Sequence, residues 1–189
     1  MRHRHIHEEF TLQQFRKRFE SLSGQSVSFD YLRSSQVYGF FMHGRLVADF
    51  SFRTQPSLRH FQLLDEAGVS IDGLRSREHE FCELACLWIM PQLRSPVFRL
   101  NFYLTCVADA LATGRAFIIG GSPVADIVPT QQLCLPYTLY QGAIAEYGEQ
   151  PWSIYYGTRW TCLKGVARQV PGRVKDIVGA IPGSYRLRR

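Results

Sequence analysis

The sequence predicts a mixed α/β (α+β) fold, in which a mostly antiparallel central sheet is flanked by helices. Residues 83–121 read as a strand, a short loop, a long helix and a second strand. On each side of this unit, a segment rich in aromatic and β-branched residues is divided by a turn, which is typical of a hairpin. A helical crossover joins parallel strands, whereas a hairpin joins antiparallel ones. We therefore expect one parallel pair within an otherwise antiparallel sheet.

Length and composition indicate a globular protein. The chain has 189 residues, of which 46% are hydrophobic and 20% charged, so a single domain with a full core is expected and a disordered chain is excluded. The basic ends, about 1–7 and 170–189, are expected to be mobile. No run approaches the roughly 18 apolar residues of a membrane span. No apolar stretch follows the first residues, so we expect a cytoplasmic protein without a transmembrane span.

The first third of the chain predicts a helix and a hairpin. Phe10, Phe15 and Phe19 recur at near-helical spacing, which predicts an amphipathic helix over residues 8–23. Residues 36–43 and 45–53 flank Gly44 and carry many β-branched and aromatic residues, so they predict a hairpin. The sequence further predicts a strand over residues 58–64 and a loop or irregular structure over residues 65–79.

The central unit has the clearest signals for element boundaries. Residues 80–90 are mostly apolar, as in a strand covered on both faces, and Pro91 ends them. Ser95 is suited to the N-cap of the long helix, and Pro96 to its first position. The helix is predicted to run to about Ala112.

The remaining elements are shorter. A buried strand is predicted over residues 115–120 and a short helix over residues 130–135, where prolines limit its length. Residues 137–147 and 152–163 predict a hairpin around a Gly-Glu-Gln-Pro turn. A small helix is predicted over residues 173–178.

Cysteine usage indicates free thiols and no metal site. The five cysteines are odd in number and lie in apolar segments, which favours reduced thiols in a cytoplasmic protein. Cys82 and Cys86 would share a strand face, with His79 nearby. Three residues along one strand do not converge on an ion from several directions, as metal ligands must.

The charge balance favours anionic partners. The formal net charge is +6 and the sequence pI is about 9.2, which suits nucleic acid, phosphate-bearing cofactors, acidic carrier proteins or lipid headgroups. Much of the surplus lies near the two ends, where solvated tails are the alternative interpretation. His3, His5 and His7 belong to the end that is expected to be mobile.

The spacing Leu87-x-Ile89-x-Pro91-x-x-Arg94 resembles the acyl-CoA-binding segment of the GCN5-related N-acetyltransferase (GNAT) superfamily, and the order of elements is similar to that fold. The resemblance implies a parallel strand pair that splays apart at one end. It further implies that the backbone of four residues contacts pantetheine, namely Leu87, Trp88, Ile89 and Met90. The pyrophosphate would then lie on the loop that opens the following helix, near Arg94, Val97, Phe98 and Arg99.

The chain departs from the family pattern in that loop. Val97 and Arg99 stand where the family has small residues, and a Cβ keeps the backbone away from a phosphate. Pro96 also removes one N–H donor. The acyl-homoserine-lactone synthases share the fold, lack a standard loop and take acyl chains mainly from acyl carrier protein. The resemblance therefore admits both acyl-CoA and acyl-phosphopantetheine on an acidic carrier protein as donors, and the basic chain suits the latter.

Two catalytic residues are predicted from the residues and the resemblance together. Glu83 begins an apolar strand and is the first candidate for a general base, with Glu80 as the second. In the alternative interpretation, Glu83 is a strand-end residue that faces solvent or pairs with an arginine. Tyr140 is the first candidate for the acid that protonates the leaving thiolate, ahead of Tyr137. The alternative for both tyrosines is aromatic packing under the sheet.

Other motifs narrow the possible chemistry. Ser122 follows two glycines at a strand end, where substrates gather in parallel sheets. The sequence has no G-x-S-x-G elbow, P-loop or G-x-G-x-x-G, which disfavours serine hydrolases, nucleotide hydrolysis and Rossmann dinucleotide binding. The last predicted strands carry an aromatic cluster, which is interpreted either as core packing or as a base-stacking or acyl-lining platform: Trp152, Tyr155, Tyr156 and Trp160.

The sequence therefore predicts an acyltransferase that moves an acyl group from a thioester to an amine. A strand amide between Leu87 and Ile89 would polarise the thioester carbonyl. The alternative is a non-catalytic module on the same scaffold that binds nucleic acid or a protein partner through its basic ends and aromatic residues.

Overall fold

The computed structural model describes residues 2–93 and 95–168. The predictions that concern Arg94, the helix over residues 173–178 and the C-terminal basic end lie outside the described residues. Within the described residues, seven strands form one sheet: β1 (Arg2–Ile6), β2 (Gln36–Met42), β3 (Arg45–Arg53), β4 (Phe81–Ile89), β5 (Phe117–Ser122), β6 (Tyr137–Ala143) and β7 (Pro151–Thr158).

Helices connect and cover these strands. They are α1 (Glu9–Ser23), α2 (Phe29–Arg33), α3 (Arg59–Glu66), α4 (Asp72–Arg75), α5 (Pro96–Ala112), α6 (Val128–Gln132) and α7 (residues 159–168). Short 3-10 turns precede β4 at Glu78–Glu80 and follow it at Pro91–Leu93, and a third lies at Ala145–Tyr147.

The strand order is β1-β2-β3-β4-β5-β7-β6. Neighbouring strands run antiparallel except β4 and β5, which are parallel, so the predicted fold class is confirmed. His43 and Gly44 both have positive φ, 49° and 76°, and form a two-residue hairpin turn between β2 and β3.

The parallel pair splays apart, as the resemblance implied. Residues Phe81 to Glu83 pair with Phe117 to Ile119, and beyond Glu83 the two strands no longer pair. On its other side, β4 carries one extra residue relative to β3, and Cys86 there has a φ of 54°. Such a β-bulge bends the strand that carries it. The bulge therefore coincides with the part of β4 that parts from β5.

Successive residues of the central strands point into two different layers. Cys82 and Ile118 belong to a core cluster with α5 and α7, whereas Phe81 and Ile119 belong to one with α3. A third cluster packs α1 and α2 against the same side as α3, through residues such as Phe15 and Leu32. The sheet is thus covered on both faces, which explains why β4 reads as an apolar run.

Several element predictions are confirmed. Residues 8–23 contain α1, residues 36–53 form the β2–β3 hairpin, and residues 80–90 contain β4. The long helix begins as predicted, since the Ser95 side chain accepts a hydrogen bond from the Phe98 N–H at 3.3 Å. Its first residue is Pro96.

Three element predictions are wrong. Residues 59–66 form helix α3 rather than a strand, because Phe61 and Leu64, three residues apart, are both fully buried on one helix face. Residues 159–163 belong to α7 rather than to the last strand, which ends at Thr158. Within residues 65–79, which were read as irregular, Asp72–Arg75 forms the short helix α4.

The N-terminal residues were expected to be a mobile end, and for residues 2–6 that expectation is wrong. They form β1, which pairs with β2 from Arg2 to Ile6. Ile6 is buried, and the His3 ring stacks on Tyr38 at 5.1 Å and approaches the Asp109 carboxylate at 3.3 Å. The hydrogen bonds between β1 and β2 and the packing of these side chains together offset the loss of conformational entropy when residues 2–6 become ordered.

We predict that Phe102→Ala destabilises the protein by about 3–5 kcal/mol, because the cavity left behind adds to the lost burial. Phe102 is buried on α5, with its ring centroid 5.4 Å from Phe40 and 5.8 Å from Phe50. Urea unfolding measures the free energy. The control Phe10→Ala removes a ring that is 70% exposed and should change it by less than about 0.5 kcal/mol. Equal effects of the two variants would contradict this packing.

Candidate active site

Two cavities meet where β4 and β5 part. The first, which we call the α3 cleft, has a volume of about 120 Å³ and lies between the end of α1, α3 and the carboxyl ends of β4 and β5. Its lining includes Arg59, His60, Leu87, Tyr103, Gly121 and Ser122. Ser122 was expected to approach a substrate at this strand end, and it does line the cleft.

The second cavity, which we call the α5 cavity, lies on the opposite face of the sheet. It has a volume of about 60 Å³ and is walled by α5, α6 and α7, with mostly aliphatic residues such as Leu84, Leu104, Val107, Ala110, Ile118 and Leu135. Four residues line both cavities: Leu87, Tyr103, Gly121 and Gln131. The gap between β4 and β5 is therefore the place where an apolar chamber meets a cleft that contains polar groups.

A buried histidine and carboxylate stand at this junction. Glu83 is fully buried, and one carboxylate oxygen accepts hydrogen bonds from the His60 backbone N–H at 2.6 Å and from its ring Nδ1 at 2.7 Å. The other oxygen accepts from the Tyr31 hydroxyl at 2.8 Å. Three elements, α2, α3 and β4, thus converge on a single carboxylate.

Glu83, which lies on β4, also caps the N-terminus of helix α3. Leu58, at the N-cap of α3, supplies no side-chain hydrogen bond to the helix. The Glu83 carboxylate takes the His60 N–H in the first turn instead, at the positive end of the helix dipole.

The hydrogen bonds decide the charge of this carboxylate. Burial is the largest single influence and by itself would raise the pKa of Glu83, but the hydrogen bonds and charge of His60 and the Tyr31 hydroxyl lower it below its ordinary value. Burial and the neighbouring Glu83 charge raise the pKa of Tyr31 well above 10.0. Glu83 is therefore ionised and Tyr31 is a neutral donor.

An ionised Glu83 fixes the tautomer of His60. A carboxylate accepts hydrogen bonds and donates none, so Nδ1 of His60 carries a proton, and in the neutral form of the ring the lone pair lies on Nε2. Nε2 lies against Gly121, where an added Cβ would come within 3.0 Å of it. The basic nitrogen is thus at the wall of the α3 cleft, beside the end of β5.

The sequence predicted Glu83 but not His60. Glu83 was read as a base that acts on the acceptor, whereas the structure places His60 between its carboxylate and the cleft. Glu80, the second candidate, forms an ion pair with Arg77 at 2.7 Å in the turn before β4. His60 was missed because residues 58–64 were read as a strand. The spacing of Phe61 and Leu64, three residues apart, is the helical signal in the sequence that would have placed His60 on a helix.

The structure does not bring Tyr140 to Glu83. Tyr140 lies on β6, at the edge of the sheet, and its hydroxyl donates to the Ala143 carbonyl. Tyr137 is exposed on the same strand and its ring lies 5.2 Å from that of Tyr156. Tyr103 on α5 is the tyrosine that lines both cavities.

The segment expected to contact pantetheine lies along the splayed part of β4. Leu87 lines both cavities, and Trp88 and Ile89 are buried and pair with β3. Met90 uses both backbone groups internally, since its N–H donates to Val47 and its carbonyl accepts from Leu93, each at 2.9 Å.

The N-cap of α5 occupies two backbone amides that could otherwise face a phosphate. The Phe98 N–H donates to the Ser95 hydroxyl at 3.3 Å, and the Arg99 N–H donates to the Ser95 carbonyl at 3.0 Å. Val97 is exposed at this end of the helix. A well-formed N-cap thus takes up donors that a pyrophosphate would otherwise receive.

The four residues of the predicted aromatic cluster do not form one platform. Trp152 and Tyr155 are buried, Tyr156 is half-buried, and Trp160 is exposed on α7. Trp152 lines the α3 cleft and Tyr155 the α5 cavity. Their shared role as a base-stacking surface is therefore not supported.

The thiols are poorly suited to nucleophilic catalysis. All five cysteines are free, and burial raises the pKa of Cys82, Cys86 and Cys162 to about 12, so they stay protonated at neutral pH. In residues 2–93 and 95–168, no group of three or more His, Cys, Asp or Glu side chains is arranged to hold a metal ion. In the same part of the chain, no helix is long and apolar enough to cross a membrane.

The fold matches solved structures, although no protein-family profile and no curated protein sequence matches the chain. FeeM, an N-acyl amino acid synthase from uncultured soil microbes, superposes with a TM-score of 0.67 at 12% identity, over 89% of this chain and 97% of its own. BjaI, a CoA-dependent acyl-homoserine lactone synthase solved with SAM and isopentyl-CoA, gives 0.56 at 15% identity, over 84% and 81%. A ribosomal-protein-alanine N-acetyltransferase from Brucella melitensis gives 0.52 at 12% identity, over 84% and 99%.

We predict that Glu83→Gln flattens the dependence of stability on acid pH. The folded-state pKa of Glu83 is lowered from about 4.5, so its contribution is present above that value and is lost as pH falls through the lower, folded pKa. At neutral pH the variant should lose about 3–5 kcal/mol, since the neutral amide leaves His60 and Tyr31 without their charged acceptor.

Urea unfolding between about pH 7 and pH 3 measures this dependence. Glu149→Gln, at an exposed position, is the matched control and should follow the wild type. If the free energy of unfolding of Glu83→Gln falls at acid pH as steeply as that of the wild type, Glu83 is not ionised in the folded protein.

Proposed function

Because this chain has the GCN5-related N-acetyltransferase fold, we propose that it is an N-acyltransferase that moves an acyl group from a thioester to an amine. The observation that carries the proposal is the buried Glu83–His60 pair, whose imidazole Nε2 lies at the gap between β4 and β5. That gap joins an apolar chamber to a cleft, as a reaction between an acyl chain and an amine requires.

In this proposal the thioester lies in the gap and its acyl chain enters the α5 cavity. The aliphatic lining of that cavity favours a hydrocarbon chain. The pantetheine arm follows the splayed part of β4 past Leu87, and a strand amide near Leu87 to Ile89 polarises the thioester carbonyl.

We place acyl-phosphopantetheine on an acidic carrier protein ahead of acyl-CoA as the donor. The hydrogen bonds of Ser95 to Phe98 and Arg99 occupy donors that would hold the CoA pyrophosphate. A carrier-bound pantetheine has a single phosphodiester and so needs fewer of them. The net charge of +6 favours an encounter with an acidic partner.

His60 is the general base of the proposed reaction. Its Nε2 takes a proton from the acceptor amine while the amine nitrogen attacks the thioester carbonyl carbon. Glu83 holds the ring by Nδ1 and stabilises the imidazolium that forms. Glu83 is in this view a positioning residue, because its carboxylate is fully buried and His60 lies between it and the cleft.

Collapse of the tetrahedral intermediate forms the amide and breaks the carbon–sulfur bond. The thiolate takes a proton from the Tyr103 hydroxyl, which lines both sides of the gap. The imidazolium then returns the amine proton through solvent to the Tyr103 oxygen. One proton has moved from nitrogen to sulfur overall, and His60 and Tyr103 have regained their starting states.

An α-amino acid is the first class of acceptor to test. FeeM, which shares the fold, is an N-acyl amino acid synthase. In this chain Arg59 adjoins His60 in the cleft lining, where its guanidinium would attract a carboxylate.

The alternative of a non-catalytic binding module predicts a different response to ligands. A binding module would be stabilised by nucleic acid in a strongly salt-dependent way. The enzyme would be stabilised by acyl carrier protein or acyl-CoA and not by nucleic acid. Thermal unfolding with each ligand distinguishes the two.

We predict that His60→Gln lowers kcat by roughly 10²–10⁴-fold, the usual contribution of a positioned general base. Thiol release from acylated carrier protein and from acyl-CoA, with a panel of amino acids, measures the rate. His79→Gln, at an exposed position, is the matched control and should retain full activity. A His60→Gln variant that keeps wild-type kcat while folded would remove the imidazole from the mechanism.

Gly121→Ala tests the position of the same ring without removing it. The added methyl would lie 3.0 Å from Nε2 and 3.1 Å from the Ser153 carbonyl, so the imidazole has to shift slightly away from the strand end. We expect a lower kcat with an unchanged thermal midpoint or a small loss of stability. Unchanged kcat would show that the ring does not act from this place.

Two tyrosine variants identify the acid. Tyr103→Phe should lower kcat by roughly 10²-fold or more, with a smaller effect for an acyl donor whose thiol leaves easily. Tyr140→Phe should leave kcat unchanged, since that hydroxyl bonds to Ala143 at the sheet edge. The reverse pattern would return the acid role to Tyr140, as the sequence predicted.

A further inference from the structure

Helix α7 has an apolar row on the side that faces away from the protein. Its inner side packs against the core through Cys162 and Val166, both of which line the α5 cavity. Its outer side carries Trp160, Leu163 and Ala167, at positions i, i+3 and i+7 of one helix face. Trp160 is 73% exposed and Leu163 44%.

Cations flank this apolar row. Arg159, Lys164 and Arg168 are all exposed, and residues 159–168 contain no acidic side chain. Arg159 also donates a hydrogen bond to the Leu111 carbonyl at the end of α5, at 3.3 Å. The exposed face therefore combines a tryptophan, a leucine and three positive charges on a single helix.

The backbone of α7 is held tightly against the protein. At Gly165, an added Cβ would collide with the Leu133 carbonyl, so the helix lies directly on the chain that follows α6. Leu133 itself is 47% exposed. The outward row therefore sits on a supported helix, with further apolar surface next to it.

This pattern distinguishes an interfacial surface from scattered exposed residues. Single exposed apolar side chains are normal in monomeric proteins, but here two large ones share one face with three cations. Tryptophan favours the boundary between lipid headgroups and acyl chains, and lysine and arginine favour anionic lipid phosphates. The charge and the apolar row thus fit the same layer of a bilayer.

We propose that the outer face of α7 docks this protein on an anionic membrane surface. Trp160 and Leu163 enter the headgroup boundary, and Arg159, Lys164 and Arg168 contact lipid phosphates. The docking does not depend on the proposed acyltransferase activity. If that activity holds, the helix that binds the membrane is also a wall of the acyl chamber, so a lipophilic product is released close to the bilayer.

Tryptophan fluorescence reports on this face selectively. The chain has three tryptophans, and Trp88 and Trp152 are buried at 8% and 6% exposure. Vesicles of mixed phosphatidylcholine and phosphatidylglycerol should shift the emission of the full chain to shorter wavelength and protect it from acrylamide. Vesicles of phosphatidylcholine alone should do so weakly, and added salt should reduce the effect.

Variants assign the binding in a vesicle co-sedimentation assay. Trp160→Ser/Leu163→Ser should lower the partition coefficient by about tenfold or more, as expected for two apolar side chains. Lys164→Gln/Arg168→Gln should lower it and reduce its salt dependence. Phe10→Ser is the matched control, since Phe10 is 70% exposed on α1, and it should bind as the wild type does. Near-UV circular dichroism establishes that each variant is folded.

Three results would overturn the proposal. One is equal partitioning of the wild type and Trp160→Ser/Leu163→Ser, which would assign binding to charge or to another part of the chain. The second is protection of Trp160 from acrylamide without vesicles, which would mean that protein already covers this face. The third is protection by acyl carrier protein but not by anionic vesicles, which would assign the face to a carrier protein.

Discussion

Glu83 is an ionised carboxylate without access to water, and much of the site follows from the need to stabilise that charge. An unpaired buried charge would be very costly, and hydrogen-bond donors from α2 and α3 contact the Glu83 carboxylate on β4. The same contacts cap α3 and orient the His60 ring. In this way one buried group links the stability of the domain to the position of its proposed base.

The second constraint is the gap between β4 and β5. A bulge at Cys86 bends β4 after its last pairing with β5, and the cavities on the two faces share lining residues at these strand ends. Helix α3 closes one side of the gap with His60, and α5 and α7 enclose an apolar chamber on the other. In the proposed reaction, a polar acceptor and an acyl chain approach one another at this gap from opposite faces of the sheet.

Much of the fold was predictable from the sequence because its signals are local. Ser95 and Pro96 mark the start of α5, and the apolar run before Pro91 marks a doubly covered strand. The site was less predictable because its parts come from distant segments. Glu83 is recognisable in the sequence as an isolated carboxylate in an apolar strand. Its partner His60 lies in a segment for which the sequence predicts a strand, and that prediction does not direct the His60 ring toward Glu83. The order of elements predicts Tyr140 as the acid, but the distance of Tyr140 from the gap depends on the strand order β5-β7-β6.

The central claim is that the thioester carbonyl lies in this gap, beside His60. A crystal structure with a non-hydrolysable S-acyl-pantetheine analogue tests it most directly. The account predicts the acyl chain in the α5 cavity and the carbonyl carbon between Leu87 and Gly121, in reach of an amine that contacts His60 Nε2. An analogue bound elsewhere, with the gap between β4 and β5 filled by side chains, would contradict it.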